Sequence, residues 1–291
     1  MKKVLITGSS GRIGRALHWR LSPINQIVAI DSSPASTTSV IGDIRSDELL
    51  CRHLEGVDTI FHAAALHAPH VGVRSERDFY EINVLATEKI CKAALVCGVS
   101  KIIFTSTTAL YGFANEEAEQ TAWINEKTTP LPKTIYHRTK LDAEACLRSF
   151  ASNQLQVRVM RISRCFPEPA NLMAIYRLHR GIDYRDVAEA HFLADQLHAP
   201  ENYDTFVISG KTPFLYTDRV GLKNSAEKII RQRTPRLAEE FDRRGWELPK
   251  SIDRVYDSSY AQQKLDWNPR RDAFALLNQY DQQDFETLPP L

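Results

Sequence analysis

The sequence predicts an α/β protein built on a doubly wound parallel sheet, followed by a small C-terminal lobe. Three observations carry that expectation. Short apolar runs alternate with helical stretches through the first half of the chain. The first run ends in a glycine-rich turn that leads straight into a helical pattern. Past residue 166 the alternation breaks, and prolines at 167, 169, 213, 235, 249 and 269 cut the chain into short pieces. Alternating strand and helix patterns indicate βαβ units, whose parallel strands are covered on both faces and so read as continuous apolar runs. With 291 residues, one large domain or one domain with an appended lobe is expected. The sheet domain is placed at residues 1–166, with 182–209 returning to it, and the small lobe at 167–181 and 210–291.

In order, Val4–Thr7 is expected to be the first strand, stopped by Gly8. Arg12–Leu21 follows with helical spacing, Ile13, Ala16 and Leu17 lying on one side. Ile27–Ile30 is the second strand, closed by Asp31. Thr59–His62, Ile102–Thr105 and Val157–Ile162 continue the sheet, and Asp78–Cys97 and Tyr136–Phe150 are the long helices between them. The basic stretch from Arg231 to Arg244 is interleaved with Glu239, Glu240 and Asp242, and reads as a solvated helix face.

Composition argues against several classes of function. Lys plus Arg is 37 and Asp plus Glu is 36, so no electrostatic footprint for nucleic acid or an anionic membrane is present. No apolar run approaches the roughly 20 residues that span a bilayer. The N-terminal apolar run is too short for a signal peptide. Five cysteines without CxxC pairs or metal-ligand spacing fit a reducing cytoplasm, and no metal site is expected. His62, His67 and His70 read as loop histidines, with His67 possible on the substrate side.

The turn Thr7-Gly8-Ser9-Ser10-Gly11-Arg12-Ile13-Gly14 lies between the first strand and the first helix. Glycines allow a tight turn and close approach of a phosphate to backbone, while the helix start offers N–H groups and the positive end of its dipole. Asp31 follows at the tip of the second strand, where a carboxylate accepts from an adenosine ribose. The pattern predicts dinucleotide binding on a Rossmann-type sheet. A carboxylate at that position repels a 2′-phosphate, so NAD is favoured over NADP, with Arg12 a mild counter-signal.

Tyr136 and Lys140 stand one helical turn apart and share a face. A phenol titrates near pKa 10, and a neighbouring ammonium favours the phenolate. Upstream, Phe104-Thr105-Ser106-Thr107-Thr108-Ala109-Leu110-Tyr111-Gly112 ends a strand in a cluster of hydroxyls, one of which can donate to a substrate oxygen.

Taken together these residues resemble the extended short-chain dehydrogenase/reductases, the group containing sugar-nucleotide epimerases and dehydratases. The matches run along almost the whole chain: TGxxGxxG at 7–14, Asp31, Gly42-Asp43-Ile44, Phe61-His62-Ala63-Ala64-Ala65, Tyr80-Glu81-Ile82-Asn83-Val84, Ser106-Thr107 with Tyr111-Gly112, Tyr136 with Lys140, Asp183-Tyr184-Arg185-Asp186-Val187-Ala188, and Leu265-Asp266-Trp267-Asn268-Pro269. The resemblance implies that Gly8, Ser10, Gly11, Arg12, Ile13, Asp31, Ser32, Asp43, Ile44, Ala63, Ala64, Ala65, Thr105, Tyr136, Lys140 and Ile162 line the cofactor. It implies Tyr136 as acid/base, Lys140 as its partner, Asn83 as support for the active-site helix and a relay water, and Thr107, four residues before Tyr111, as the catalytic hydroxyl. It further implies a homodimer.

Two departures bear on substrate. Where the family reads roughly RxxNxYGP, this chain has Arg161-Ile162-Ser163-Arg164-Cys165-Phe166-Pro167-Glu168-Pro169. Only 170–181 then separate that stretch from the Asp183 motif, where nucleotide-sugar enzymes carry some tens of residues. The shortened segment is similar to the uronate dehydrogenase branch, which oxidises free hexuronates with an arginine on the carboxylate. Arg164 and Arg177 are candidates for that arginine, with Arg180 beside them, and His67, Thr108 and Asn171 are further candidate substrate contacts. The expected activity is NAD-dependent oxidation of a hydroxyl-bearing carbon in a sugar or sugar acid. The alternatives are a nucleotide-sugar 4-epimerase, with NAD recycled each turnover, and a non-catalytic NAD sensor. Thr108 and Ala109 stand where dehydratases carry an acid pair, which argues against dehydration.

Overall fold

The apolar centre of Lys2–Thr7, Val4-Leu5-Ile6, is fully buried, as a strand covered on both faces must be. In the computed structural model, which describes residues 1–114 and 119–287, that segment is β1. The chain continues through α1 (Arg12–Leu21), β2 (Asn25–Asp31), β3 (Val40–Ile41), α2 (Asp47–Leu54), β4 (Thr59–His62), α3 (Glu76–Tyr80), α4 (Ala86–Val96) and β5 (Lys101–Thr107). It goes on through β6 (Ala122–Ile124), α5 (Ile135–Phe150), β7 (Gln156–Ile162), α6 (Ala170–His179), α7 (Tyr184–Gln196) and β8 (Tyr203–Ile208). The remainder is α8 (Arg219–Asn224), α9 (Ala226–Arg233), α10 (Pro235–Arg244), β9 (Arg254–Tyr256), α11 (Ser259–Leu265) and α12 (Ala273–Asp281).

Seven strands form one sheet in the order β3-β2-β1-β4-β5-β7-β8. β1 pairs in parallel with β2 on one side and β4 on the other. The chain first moves outward from β1 and then returns to its other edge, which makes the β1/β4 ends the topological switch point where α/β sheets bind ligands. Thr7 and His62 are partners in register at that point.

Two compact units emerge. The first comprises Met1–Gly112, Pro132–Arg161 and Val187–Phe206. Its core packs Leu5, Ile60, Ile102, Phe104 and Val157 of the sheet against Leu50, Ile90 and Leu147 of the helices. The second comprises Phe113–Leu131, Ile162–Asp186 and Val207–Leu291. Phe113–Leu131, which the chain order alone leaves with the sheet domain, belongs with it because β6 pairs in parallel with β9. Its core gathers Met173, Leu178, Phe241, Ile252 and Leu276.

Helix ends follow local chemistry. Ser46 caps α2, Thr134 caps α5 and Asp272 caps α12, each accepting from a first-turn N–H. Pro235 opens α10 and Gly245 closes it in the left-handed region at φ 67°.

The structure departs from the expected single helix over 78–97. α3 ends at Tyr80, a π-helical turn occupies Glu81–Leu85, and α4 begins at Ala86. Apolar periodicity hardly changes across one widened turn, so the pattern conceals it. β3, with two residues, is too short to leave a periodic signal.

α1 lies hard against the turn before it. A Cβ on Gly14 would sit 2.0 Å from the Gly8 carbonyl oxygen, and one on Gly8, at φ 74°, would sit 2.6 Å from the Ala64 nitrogen. Because backbone cannot yield as a side chain can, Gly14→Ala is expected to cost about 2–4 kcal/mol, read as a fall in the urea midpoint. A loss below about 1 kcal/mol would show that α1 shifts freely.

Candidate active site

Three corners of the first unit meet the requirements set by the sequence. The first is the glycine turn. Gly8 N–H donates to Ile30 O at 2.9 Å and Gly11 N–H to Gly8 O at 3.2 Å. Gly11 is the N-cap of α1, with no side-chain cap and no acid in the first turn. The helix start therefore presents backbone N–H groups and its dipole to an anion. Asp31 lies beside it, accepting from Ser10 N at 2.9 Å and Ser33 N at 2.9 Å. Bare backbone where a Cβ would clash, a helix start for pyrophosphate and a carboxylate for ribose hydroxyls together fit a dinucleotide. Ser32 is exposed, Arg12 and Ile13 are half-buried in the first turn of α1, and Ala63, Ala64 and Ala65 form a half-buried ledge after β4. Asp43 holds Arg45 through backbone and side chain, which keeps its carboxyl below the usual range. Ile44 is placed in the core.

The second corner is α5. Thr134 caps it, so Tyr136 stands in the first turn, with Lys140 and Glu144 on the same face below. Lys140 is buried, donates to Thr105 O at 2.7 Å and lies 3.8 Å from the centre of the Phe104 ring. Burial pushes its pKa down to about 7, against the opposing pull of the Glu144 carboxylate. Glu144 is itself buried. It accepts from Ser106 Oγ at 2.5 Å and from Arg161 Nε and Nη2 at 3.1 and 2.6 Å, and Arg161 Nη1 donates to Tyr111 Oη at 2.9 Å.

These bonds separate the clustered hydroxyls. Ser106 is committed to Glu144 of α5, whereas Thr107 caps the short turn after β5. Thr107 Oγ1 accepts from Ala109 N at 3.1 Å, which leaves its own proton to donate. Thr105 Oγ1 donates to His191 Nε2 at 2.9 Å, because His191 Nδ1–H is spent on Val187 O at 2.8 Å. Thr108 is buried in the short turn that follows.

The third corner links the other two. Thr7 Oγ1 meets His62 Nδ1 at 2.7 Å, His62 Nε2 meets Thr87 Oγ1 at 2.9 Å, and Thr87 donates to Asn83 O at 2.8 Å. Since Thr87 spends its proton on a carbonyl, it accepts from Nε2–H, and Nδ1 accepts from Thr7. The hydrogen-bond pattern thus assigns a neutral imidazole, in accord with burial and the charge of Lys140 pushing the His62 pKa down to about 3. Asn83, in the π-helical turn, accepts from Leu66 N at 2.8 Å and donates to Leu66 O at 3.0 Å and Thr139 Oγ1 at 3.1 Å. It ties the segment after β4 to α5.

His62 is therefore not a loop residue but the buried end of β4. The sequence hides this because its two hydrogen-bond partners, Thr7 and Thr87, are remote along the chain. Glu144, Arg161 and His191 were also missed. Glu144 left a signal, standing four residues after Lys140 on the same face.

Among the substrate candidates, His67 is half-buried and paired edge-on with His70, ring centres 4.6 Å apart. Arg164, Asn171 and Arg177 lie in the second unit, as does Ile162 at the end of β7. Arg164 is held by Glu168, Arg177 is buried and paired with Asp183 at 3.3 Å, and Asn171 is half-buried in α6. Among the described residues, no group of three His, Cys, Asp or Glu is placed to hold a metal, and no helix is long and apolar enough to cross a membrane.

Comparison with known proteins agrees with this architecture. The pattern of the NAD dependent epimerase/dehydratase family matches residues 4–171. A UDP-glucose 4-epimerase of Halalkalibacterium halodurans is 32% identical over 151 residues, covering 48% of this chain and only 44% of the epimerase. A uronate dehydrogenase of Agrobacterium fabrum is 26% identical over 210 residues, covering 69% of this chain and 75% of that enzyme. The crystal structure of a UDP-N-acetylglucosamine 4-epimerase from Bacillus cereus superposes with a TM-score of 0.71 at 21% identity, over 97% of this chain and 99% of that one. At that identity the likeness shows the fold.

Three histidines are buried neutral: His62 and His179 with pKa pushed to about 3, and His191 to about 4, burial being the main cause in each. An unfolded chain protonates them near 6.5 and the folded chain does not. Stability is thus complete above pH 6.5 and falls towards pH 4, by up to about 4 kcal/mol per pH unit when all three titrate. Urea midpoints at pH 7.5, 6.0 and 5.0 check this; a midpoint constant across that range would show that the imidazoles protonate in place.

Proposed function

The chain belongs to the NAD dependent epimerase/dehydratase family, and we propose that it is a dehydrogenase of a free sugar or sugar acid. The dinucleotide is NAD, held by the Gly8–Gly14 turn, with Asp31 on the ribose hydroxyls where a 2′-phosphate would be repelled. NAD supplies a hydride acceptor when bound.

The protein's part is the proton and the oxygen. Tyr136, in the first turn of α5, takes the proton of the substrate hydroxyl at its phenolic oxygen. Thr107 Oγ1 donates to the substrate oxygen as it loses that proton. Lys140 keeps a positive charge close to neutrality's edge, so its ammonium favours the phenolate when protonated. Asn83 holds α5 in place through Thr139.

One observation carries the choice of a small substrate. α6 spans only Ala170–His179 and α7 opens at Tyr184, so the connection from β7 to α7 is short where nucleotide-sugar enzymes of the resembled group carry some tens of residues. A nucleotide-sugar 4-epimerase is the competing reading, because it uses the same Thr107, Tyr136 and Lys140 and the family includes such enzymes by name. We read the protein as cytoplasmic, in keeping with its five free thiols, and as a homodimer. Tyr80, Leu85, Leu95 and Val96 are exposed along α3, the π-helical turn and α4, which supports a helical dimer face.

NADH fluorescence with NAD and a panel of free sugars, sugar acids and nucleotide sugars tests the reading. A free sugar or sugar acid is expected to give net NADH. Conversion of a nucleotide sugar without net NADH would establish the epimerase instead. Tyr136→Phe is expected to lower the rate roughly 10²- to 10⁴-fold while NAD binding persists.

A further inference from the structure

We infer that His191 is a positioning residue of the active site: it anchors Thr105, and Thr105 in turn sets where the Lys140 ammonium stands. The inference rests on the reading of Tyr136 and Lys140 as the pair that handles the proton. Every residue it uses belongs to the first unit, which includes α7 from Val187 onward.

The amine of Lys140 is tethered at one point. Its Nζ donates to Thr105 O at 2.7 Å, and among the described residues no other acceptor meets it. The centre of the Phe104 ring lies 3.8 Å away, an attraction that is broad in direction and leaves the amine room to slide across the ring. A compact ammonium on a flexible four-carbon stem goes where its acceptor is. The place of the charge is therefore set by the Thr105 carbonyl.

β4 does not fix that carbonyl, because the β4–β5 partners end at His62 and Phe104, one residue short of it. The side chain of Thr105 does. Its Oγ1 meets His191 Nε2 at 2.9 Å, and His191 Nδ1 meets Val187 O at 2.8 Å. A carbonyl only accepts, so Nδ1 carries the proton and Nε2 is left as the acceptor for the Thr105 hydroxyl. The imidazole is fully buried and held at both nitrogens, so the acceptor it offers is rigid. Threonine is β-branched and stiff about χ1, so holding Oγ1 also holds the direction of Cα–Cβ and the peptide that follows. His191 thus reaches Lys140 through one residue, which spends its side chain on the histidine and its main chain on the lysine.

A neutral imidazole does this without adding charge beside the amine. The groups that face Lys140 are Glu144 on its own helix, paired with Arg161 of β7, and neutral His62 from β4. None of them is part of the tether.

The test reads Tyr136 directly, by the ultraviolet absorbance of tyrosinate against pH, as the difference between each protein and its Tyr136→Phe counterpart, with neither NAD nor substrate present. His191→Leu removes the acceptor and Thr105→Val removes the donor. Each is expected to raise the titration midpoint of Tyr136 by roughly 0.5–1 pH unit, because a displaced ammonium favours the phenolate less. The double variant should raise it no further, since both substitutions break the same bond. His191→Gln, whose Oε1 accepts from the Thr105 hydroxyl, should restore most of the native midpoint. A midpoint unmoved in Thr105→Val, shifts that add in the double variant, or His191→Gln behaving as His191→Leu does would overturn the inference. A lowered urea midpoint with Tyr136 titrating as in the native protein would overturn it too, since it marks a histidine that serves only the fold. If His191→Leu does not fold, Thr105→Val and His191→Gln still decide. Absence of NADH with every sugar would count against the dehydrogenase reading alone, because the titration needs no turnover.

Discussion

The ion pair of Glu144 with Arg161 is the constraint on which the α5 side of the first unit depends. Both side chains are buried, and burying either charge alone would cost several kcal/mol. The two are tolerable only together, and only with the remaining oxygens occupied, which Ser106 achieves from β5. One carboxylate thereby fastens α5 to β5 and β7 at once, and Arg161 extends the tie to Tyr111. Lys140 is one turn earlier on α5, so the depth at which Glu144 is clamped decides where the lysine meets Thr105. Rotation of the helix would break four charge-assisted bonds before the amine moved.

The cofactor end is secured differently, by neutral groups in a fixed donor order. Thr7, His62 and Thr87 join the glycine turn to the π-helical turn, and Asn83 carries the connection to α5. Each proton has one place to go, so the segment holds a single arrangement without any net charge. Charge near Lys140 is thus confined to Glu144 on its own helix and the Arg161 from β7 that opposes it, while His62 from β4 stays neutral.

What the sequence made legible was whatever repeats or whatever lies within a turn of itself. The apolar runs of β1, β4 and β5, the Gly8–Gly14 turn and the one-turn spacing of Tyr136 and Lys140 are local patterns, and the structure contains each. What stayed hidden depends on partners far apart. His62 reads as a loop histidine until Thr7 and Thr87 are brought to it, 55 and 25 residues away. The pairing of Arg164 with Glu168, only four residues on, is not legible in the sequence either, because neither residue there lies in a helix. The π-helical turn at Glu81–Leu85 is hidden because a single widened turn leaves the hydrophobic pattern almost unchanged.

That turn has a consequence for how the chain tolerates length changes. A π-turn accommodates one residue more than an α-turn does, so the segment between Tyr80 and Ala86 holds a built-in spare. Removing one residue there would let α3 and α4 fuse into a continuous α-helix, locally the more comfortable geometry. The same deletion would swing everything on one side by about 100° relative to the other, the angle between neighbouring residues on an α-helix. Asn83 could then no longer face Leu66 and Thr139 together. The irregularity works as a phase adjuster, and local helical regularity is what it gives up to keep two distant faces in step.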